Sequence, residues 1–290
     1  NVGLRYETGS QASILLESSF QDLLHPGSIN RMEARLGDRI QFGTDYIYYG
    51  ALGSRLAALT SVWFDSEVVE WYNDFSRVSS FKSRTFTVEI SAGNYFSTQN
   101  LFAAGVRKAF DYQDNEINPT EIEPVAKGHH GVFALYRFDN HNRRAYPVRG
   151  QKLVAEGYHS NPAFMSPLLF TSISGLWEGF IPLGENFSIK HTLYGGYTYG
   201  QDLPWNYWHT VNRYSKNFGF VRIGGFESFQ IASRNIQLAS IGFQAEPVYH
   251  RFASLDLYAG RFLDNWDLKP DPSDVEYGVS LSVGALTILG

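Results

Sequence analysis

Residues 274–285 read DVEYGVSLSVGA and alternate without error between two kinds of side chain. Every odd-numbered residue from 275 to 285 is apolar or aromatic, whereas every even-numbered residue from 276 to 284 is Glu, Gly or Ser. Successive side chains of a β-strand point to opposite faces, so the pattern predicts a strand with one apolar and one polar face. The segment exceeds the roughly 5 to 6 residues usual in soluble sheets and suits a tilted bilayer crossing.

The same alternation recurs along the chain. It is clear in residues 85–93 and 254–260 and less strict elsewhere, with no convincing amphipathic helix in between. The sequence therefore predicts an all-β fold, a transmembrane antiparallel β-barrel, of which about fourteen strands are visible. The predicted strands are 3–6, 12–20, 31–36, 39–48, 55–64, 85–93, 101–112, 131–138, 151–158, 169–180, 187–199, 236–249, 254–260 and 274–285.

The composition fits such a barrel. Mean hydropathy is only -0.24, but lipid-facing and lumen-facing residues alternate in a barrel, so the average cancels. No segment approaches the roughly 18 to 20 apolar residues of a membrane-spanning helix, which excludes a helical membrane protein. Aromatic residues reach 16% and cluster near predicted strand ends, as at Tyr46, Trp63 and Trp205, where they would form interfacial rings.

Connections and charges support the same interpretation. Turns such as 25–28 and 183–186 are short, whereas 111–124 and 201–217 are long and polar, as expected for periplasmic turns and outer loops. Charged residues at predicted lumen-facing positions should pair across the interior. They are Arg35, Arg39, Asp45, Glu89, Arg107, Arg137 and Glu156.

Several kinds of chemistry lack support. The net charge of -5 disfavours a nucleic-acid partner, and the absence of Cys removes thiolate chemistry. No G-x-S-x-G nucleophile motif occurs. His129 and His130 are adjacent in a predicted strand and so face opposite sides, and acidic residues 264–274 lack the calcium-loop pattern. We expect no catalytic residue, cofactor or metal in this chain.

Four segments carry motifs in a recognisable order. Residues 1–38 form predicted hairpins with a Pro-Gly turn, and 138–157 read FDNHNRRAYPVRGQKLVAEG. Residues 217–230 read NFGFVRIGGFESFQ, and 236–262 form a strand pair. In order and spacing they resemble the Omp85 superfamily of outer-membrane barrels, whose members include BamA-like insertases, two-partner secretion pores and patatin-linked barrels.

The resemblance assigns structural motif positions rather than catalytic ones. In the mid-barrel motif they are Asp139, Arg144, Pro147 and Gly150. Proline lacks a donor and suits the start of a strand, and glycine permits tight backbone geometry. At the end of the family's long sixth loop the matching residues are Phe220, Arg222, Gly224 and Gly225, although 227–230 replace the usual V-R-G-F tip.

Family barrels have sixteen strands. The resemblance therefore implies that residues 1–290 are a single outer-membrane barrel domain, a fragment lacking an upstream periplasmic domain and the last hairpin. The degenerate loop tip is most similar to the patatin-linked branch, in which a patatin-like phospholipase precedes the barrel, and a BamA/TamA-like barrel is the second choice. The implied hydrolase would lie upstream of Asn1, so whether the whole protein is an enzyme stays open.

These expectations lead to four hypotheses. The first is a barrel in the outer membrane of a Gram-negative bacterium that anchors, or helps to export, a periplasmic patatin-like domain or partner. The second is a BamA/TamA-like assembly or secretion pore, the third a diffusion porin with a wide lumen, and the fourth a soluble sugar-binding or sandwich protein. Expected partners are outer-membrane lipid and lipopolysaccharide, a periplasmic domain or protein, and a second copy or larger envelope complex.

Overall fold

The computed structural model describes residues 2–285 except 8–9, 38, 51–55, 74–75, 98, 118–125, 144–145, 201–202, 213, 222, 225, 227–229, 266 and 268–270. Strands account for most of them. The strands are β1 (Val2–Glu7), β2 (Ser10–Gln21), β3 (Ser28–Leu36), β4 (Ile40–Tyr49), β5 (Leu56–Asn73), β6 (Ser76–Ser97), β7 (Asn100–Ile117), β8 (Ala126–Asp139), β9 (Gly150–Ser160), β10 (Phe170–Pro182), β11 (Phe187–Gly200), β12 (His209–Thr210), β13 (Tyr214–Ser215), β14 (Gly219–Phe220), β15 (Ala232–Ser233), β16 (Asn235–Val248), β17 (Arg251–Leu263) and β18 (Val275–Ala285).

One antiparallel sheet organises the described residues. Fourteen strands pair in the order β1 to β11, then β16, β17 and β18, while β12–β15 and β13–β14 form two small ladders outside it. Pairing is continuous between neighbours: Val275 to Ala285 lie opposite Arg261 to Arg251 without a register shift. Within the described residues no ladder joins β1 to β18, so the barrel is not closed there.

All fourteen predicted strands lie in this sheet, but many are longer than predicted, β5, β6 and β7 among them. β5 continues to Asn73, β6 begins at Ser76 and β7 continues to Ile117. In this extension Val68 is 42% exposed and Val69 is fully buried, so adjacent valines serve opposite faces. A count based on apolar–polar alternation fails where both faces carry apolar residues.

The sheet curls around the segment that follows β11. Lys216 Nζ lies 3.1 Å from Asp45 Oδ1 on β4, and a Cβ built on Gly224 would lie 2.3 Å from the Val279 carbonyl oxygen on β18. In the sheet order β4 and β18 are ten steps apart, about 48 Å if the sheet were flat. Residues 216 and 224 span at most about 28 Å when extended. The sheet is therefore strongly curved, with this segment on its inner face.

The two faces of the sheet differ in chemistry. On β7 the inward residues, including Arg107 and Asp111, are buried, whereas the outward residues, including Phe102, Val106 and Phe110, are exposed. Outward apolar residues elsewhere are also exposed, reaching 82% at Val283. So extensive an exposed apolar surface is unusual for a soluble monomer and typical of a lipid-facing barrel wall. The predicted all-β, antiparallel barrel fold is confirmed.

Helical structure is limited to short 3₁₀ turns among the described residues. None of these helices has the length and apolar character needed to cross a membrane. Strands and the connections between them therefore position the polar and charged side chains of the described residues.

Candidate functional site

The connection between β11 and β16 is a folded element on the inner face. We call residues 203–234 the inner segment. The Asn212 side chain donates to the carbonyl oxygens of Ile223 at 2.9 Å and Phe226 at 2.7 Å, and its Oδ1 accepts from the Ile223 amide at 3.0 Å. Asn212 itself has φ of 58°, a left-handed conformation that asparagine tolerates better than most residues. One side chain thus joins the two arms of the segment.

The first contact between the inner segment and the wall is aromatic. Trp205, in a 3₁₀ turn at Trp205–Tyr207, lies edge-on to Phe81 of β6 with ring centroids 5.8 Å apart. Its Nε1 donates to Ser83 Oγ at 2.7 Å, which satisfies the polar atom of an otherwise buried ring. Burial of such a side chain contributes about 1.5–3 kcal/mol.

The second contact is the largest apolar cluster among the described residues. Val211, Phe218, Val221 and Ile223 of the inner segment are buried in it. Their wall partners come from β8, β9, β10, β16 and β17 and from Leu168, two residues before β10. They are Phe133, Leu135, Val154, Tyr158, Leu168, Phe170, Leu176, Ile236, Leu238 and Tyr258.

The third contact is ionic. Lys216 Nζ lies 3.1 Å from both Asp45 Oδ1 and Glu89 Oε2. Glu89 also accepts from Arg107 Nε at 2.7 Å, and Arg107 continues to Glu156 through Nη2. A chain of alternating charges therefore crosses β4, β6, β7 and β9, with the lysine of the inner segment between Asp45 and Glu89. Of the charges predicted to face inward, Glu89, Arg107 and Glu156 pair between nearby strands of the wall, and Asp45 pairs with Lys216 of the inner segment.

A buried triad lies beside the 3₁₀ turn. His129 is fully buried, with Nε2 3.1 Å from Asp111 Oδ2 and Nδ1 2.8 Å from Tyr158 Oη. Asn206 Nδ2 donates to Asp111 at 3.1 Å, and the Tyr207 ring stacks on Tyr158 at 5.3 Å. Asp111 and Tyr158 of the triad thus contact Asn206 and Tyr207 of the inner segment. His130 lies on the opposite face of β8, as the sequence predicts.

His209 fits a gap in the wall made by Gly196. A Cβ on Gly196 would lie 2.4 Å from the His209 ring, so any other residue would push the ring away. The His209 ring nitrogens lie 3.3 Å from Tyr194 Oη and 3.2 Å from Thr198 Oγ1. Burial lowers the pKa of His209 to about 4, so the ring is neutral at ordinary pH.

The far end of the inner segment touches β18 through glycines. A Cβ on Gly224 would lie 2.3 Å from the Val279 carbonyl oxygen, and a Cβ on Gly278 would lie 2.3 Å from the Gly224 carbonyl oxygen. The two backbones therefore meet with no side chain between them. This contact explains why a glycine is needed at the motif position Gly224.

At the opposite rim, the connection between β8 and β9 also folds inward. In this β8–β9 turn, residues 140–149, the Tyr146 ring lies parallel to Phe252 of β17 with centroids 4.3 Å apart. Arg143 Nη1 lies 2.8 Å from Glu246 Oε2 on β16. Gln244 of β16 donates to the Pro147 carbonyl oxygen at 2.9 Å. The β8–β9 turn thus reaches across the concave face of the sheet to β16 and β17.

The motif residues predicted from the resemblance hold the backbone at two places. Asp139 Oδ1 accepts from the His141 amide at 3.0 Å, and Gly150 has φ of 111° with the Asn140 carbonyl oxygen 2.5 Å from a Cβ position. The described residues of the two motifs do not come together as one site. Pro147 lies in the β8–β9 turn and Phe220 in β14, while Arg144, Arg222 and Gly225 lie outside the described residues.

The sequence did not identify the inner segment. It predicted an outer loop at 201–217 and interfacial positions for Trp63 and Trp205, whereas both tryptophans are buried on the inner face. Trp63 Nε1 bonds Asp45, and Lys216 lies over its ring. No local pattern distinguishes such a tryptophan from an interfacial one. Among the described residues no cluster of three or more His, Asp or Glu could hold a metal ion.

Two solved structures share this fold. BamA from Haemophilus ducreyi lacking POTRA domains 1–3 matches with TM-score 0.73 and 15% identity over 99% of this chain and 64% of that chain. CdiB from Acinetobacter baumannii matches with TM-score 0.60 and 10% identity over 97% of this chain and 52% of that chain. No family model and no curated protein matches the sequence.

These likenesses define the class of fold. At 15% and 10% identity they show the fold alone: the chain folds as an antiparallel β-barrel wall like those of BamA and CdiB. It spans less than two thirds of the length of either relative. The patatin-linked branch has no support from these two structures and stays a prediction from the resemblance.

Proposed function

We propose that this chain is an Omp85-type β-barrel of a Gram-negative outer membrane that assembles or translocates proteins with a periplasmic partner. The proposal rests on one observation: Lys216 binds the inner segment to the wall, and the segment occupies space on the inner face of the sheet. The Lys216 bonds are ionic and partly exposed, so water or a client protein can replace them there, whereas Val211, Phe218, Val221 and Ile223 hold the rest of the segment by apolar packing.

The space left on the inner face argues against a diffusion porin. The cavity between the inner segment and the wall has a volume of about 250 Å³ and is lined by Trp63, Glu89, Tyr194 and Lys216, among others. At about 30 Å³ per water molecule, this volume holds about eight waters. A porin needs a continuous aqueous path, so the assembly or secretion hypothesis fits the geometry better.

The anchor for a patatin-like domain remains the first hypothesis from sequence, but no described contact favours it. The outer face and the fold likeness support a position in the outer membrane, among lipid and lipopolysaccharide. The β8–β9 turn and the short turns at 183–186 and 249–250 form the rim where a periplasmic partner would bind. A second copy or a larger complex stays a prediction.

Reconstitution tests the proposal. The purified chain, folded in detergent, should insert into lipid vesicles and show heat-modifiable mobility on gels. In planar bilayers it should show rare, brief openings, whereas a variant with 203–234 replaced by a short Gly-Ser linker should show a steady pore. A chain that stays monodisperse in buffer without detergent contradicts the membrane assignment. A large steady conductance of the unaltered chain contradicts the closed state and favours a porin.

A further inference from the structure

The connection between β9 and β10 differs in composition from the other connections at its rim, the rim that carries the inner segment. We call residues 161–169 the apolar loop. No Asp, Glu, Lys or Arg occurs between Glu156 and Glu178, whereas the connection at 264–274 on the same rim has four Asp and one Lys. Charged residues are the ones most often exposed to water. The lack of charge in the apolar loop therefore indicates a less aqueous environment.

The apolar loop holds its side chains in a fixed turn. A 3₁₀ turn at Pro162–Phe164 is capped by Asn161, whose side chain accepts from the backbone of the turn at 2.9 Å. The Met165 amide donates to the Pro162 carbonyl oxygen at 2.8 Å, and Met165 has φ of 62°, which is uncommon for a residue other than glycine. Phe164 is 42% exposed and Met165 is 87% exposed. The turn therefore presents two large apolar side chains to the surroundings.

Hydrogen bonds place this turn against the outer face of the sheet. His130 lies on the outer face of β8, because its neighbour His129 is fully buried on the inner face. His130 Nε2 donates to the Met165 carbonyl oxygen at 2.8 Å, and the His130 amide donates to Ser166 Oγ at 3.3 Å. Ser166 Oγ also lies 2.7 Å from Ser160 Oγ at the end of β9. The turn is thus held on the outer side of the wall, unlike the inner segment.

The apolar loop ends at the edge of an apolar band on the outer wall. The exposed apolar residues of this band are Leu169, Ile173, Trp177 and Ile181. The strand from Leu169 to Ile181 rises about 41 Å, or about 31 Å along the membrane normal at a tilt of about 40°. The hydrocarbon core of a bilayer is about 30 Å thick. Leu169, the last residue of the loop, therefore lies near the level where acyl chains meet headgroups.

We propose that Phe164 and Met165 insert among the acyl chains of the outer leaflet, just below the headgroups, and anchor this sector of the wall. The occupant is the lipid of the surrounding bilayer, because the apolar loop continues the apolar outer wall and carries no charge to pair with a protein surface. Apolar side chains at this level of a bilayer are buried from water.

This inference rests on the proposed outer-membrane function, which places the rim with the inner segment outside the cell. It goes beyond that function because the sequence predicts polar outer loops at this rim and assigns none of them to lipid. The apolar loop would instead widen the part of the wall that contacts the membrane.

Fluorescence quenching in vesicles tests the anchor, and single labels are possible because the chain contains no Cys. Met165→Cys, labelled with an environment-sensitive fluorophore, is folded into phosphatidylcholine vesicles containing lipid with a spin label on the acyl chain near the glycerol. Its emission should shift to the blue and be quenched by the spin-labelled lipid, but little by iodide in the water. Because the Met165 side chain is mostly exposed, the substitution should leave the fold intact.

Two labelled positions serve as controls. Asp264→Cys, exposed in the β17–β18 connection at the same rim, should be quenched by iodide and little by the lipid. Ile173→Cys, exposed on the outer wall, reports whether the barrel itself has inserted, and the spin-labelled lipid should quench it.

The outcomes separate the apolar loop from the membrane function. If the lipid quenches Ile173→Cys while iodide quenches Met165→Cys, the barrel is in the bilayer and the lipid anchor is overturned. If Met165→Cys is protected from both quenchers, a protein surface such as a second copy covers the loop, and the lipid assignment is also overturned. If the lipid does not quench Ile173→Cys, the proposed membrane function fails, and the anchor fails with it.

Discussion

Gly224 of the inner segment and Gly278 of β18 meet backbone to backbone, with a Cβ position on each only 2.3 Å from a carbonyl oxygen across the contact. The inner segment therefore reaches the last described strand of the sheet, while Lys216, eight residues earlier, contacts Asp45 on β4. One short stretch thus connects strands that are ten positions apart in the sheet. Four consequences of this arrangement can be measured.

The glycine contact predicts that a side chain at 278 displaces the segment. Gly278→Val should release its far end, because overpacking costs about 1–3 kcal/mol. Limited proteolysis in detergent should then cut within 213–229 faster than in the unaltered chain. Ser282→Val, on the same face of β18 but further along, is the control. Equal cutting of the Gly278 variant and the unaltered chain would show that the glycine contact does not hold the segment.

Removal of the Lys216 ion pairs should loosen the inner segment. Lys216→Gln leaves Asp45 and Glu89 without this cation, and partial exposure of the pair reduces the cost to about 2 kcal/mol. The frequency of channel openings in planar bilayers should rise. Lys190→Gln is the matched control, because its pair with Glu178 has similar exposure and does not involve the segment. A similar rise in both variants would contradict a special role for Lys216.

Protonation of His209 should weaken the docking of the inner segment on the wall in acid. The ring has a pKa of about 4 when docked and about 6.5 when released, so the released state binds a proton more readily. Docking is strongest above pH 6.5 and weakens as the pH falls from 6.5 to 4, by up to about 3 kcal/mol. Channel openings are counted between pH 8 and 4.5 for the unaltered chain and for His209→Gln, which stays neutral.

Other titrating groups act equally in both of these proteins, so the difference between them isolates His209. The unaltered chain should show the steeper rise in openings toward acid. Two profiles with the same pH dependence would mean that His209 does not limit docking.

The stacked rings of Tyr146 and Phe252 predict coupling between the β8–β9 turn and β17. A double-mutant cycle with Tyr146→Leu and Phe252→Leu, measured by urea unfolding in detergent, should give a coupling of about 1 kcal/mol. Phe187→Leu, whose ring stacks on Phe243 on the outer face, serves as the control partner and should not couple to Tyr146. A coupling near zero for Tyr146 and Phe252 would show that the turn does not hold β17.

Local periodicity was sufficient to predict the strands, since a strand facing lipid on one side and a polar interior on the other must alternate. It also predicted the inward charges and the opposite directions of His129 and His130. The resemblance identified Gly150 and Gly224, whose backbone geometry excludes other residues. These features are encoded within a few neighbouring residues.

The inner segment could not be predicted in the same way. Trp205 bonds Ser83 across 122 residues, and Lys216 bonds Glu89 across 127. Contacts at such separations leave no period in the sequence, and a polar aromatic stretch has the same composition in an outer loop and inside a barrel. The extension of β5 and β6 was missed for a related reason, because Val68 and Val69 serve opposite faces.

Cysteine cross-linking can locate the inner segment on the inner face of the sheet, because the chain contains no Cys of its own. Asn206 Nδ2 bonds Asp111 Oδ1 at 3.1 Å, so Asn206→Cys with Asp111→Cys should form a cross-link on oxidation or with a short thiol reagent. Asn217→Cys with Glu156→Cys should do the same if the first pair folds poorly. Asn206→Cys with Asp114→Cys, on the outer face of β7, should not. Efficient linking to Asp114→Cys, or none to either inner-face partner in heat-modifiable protein, would contradict the account.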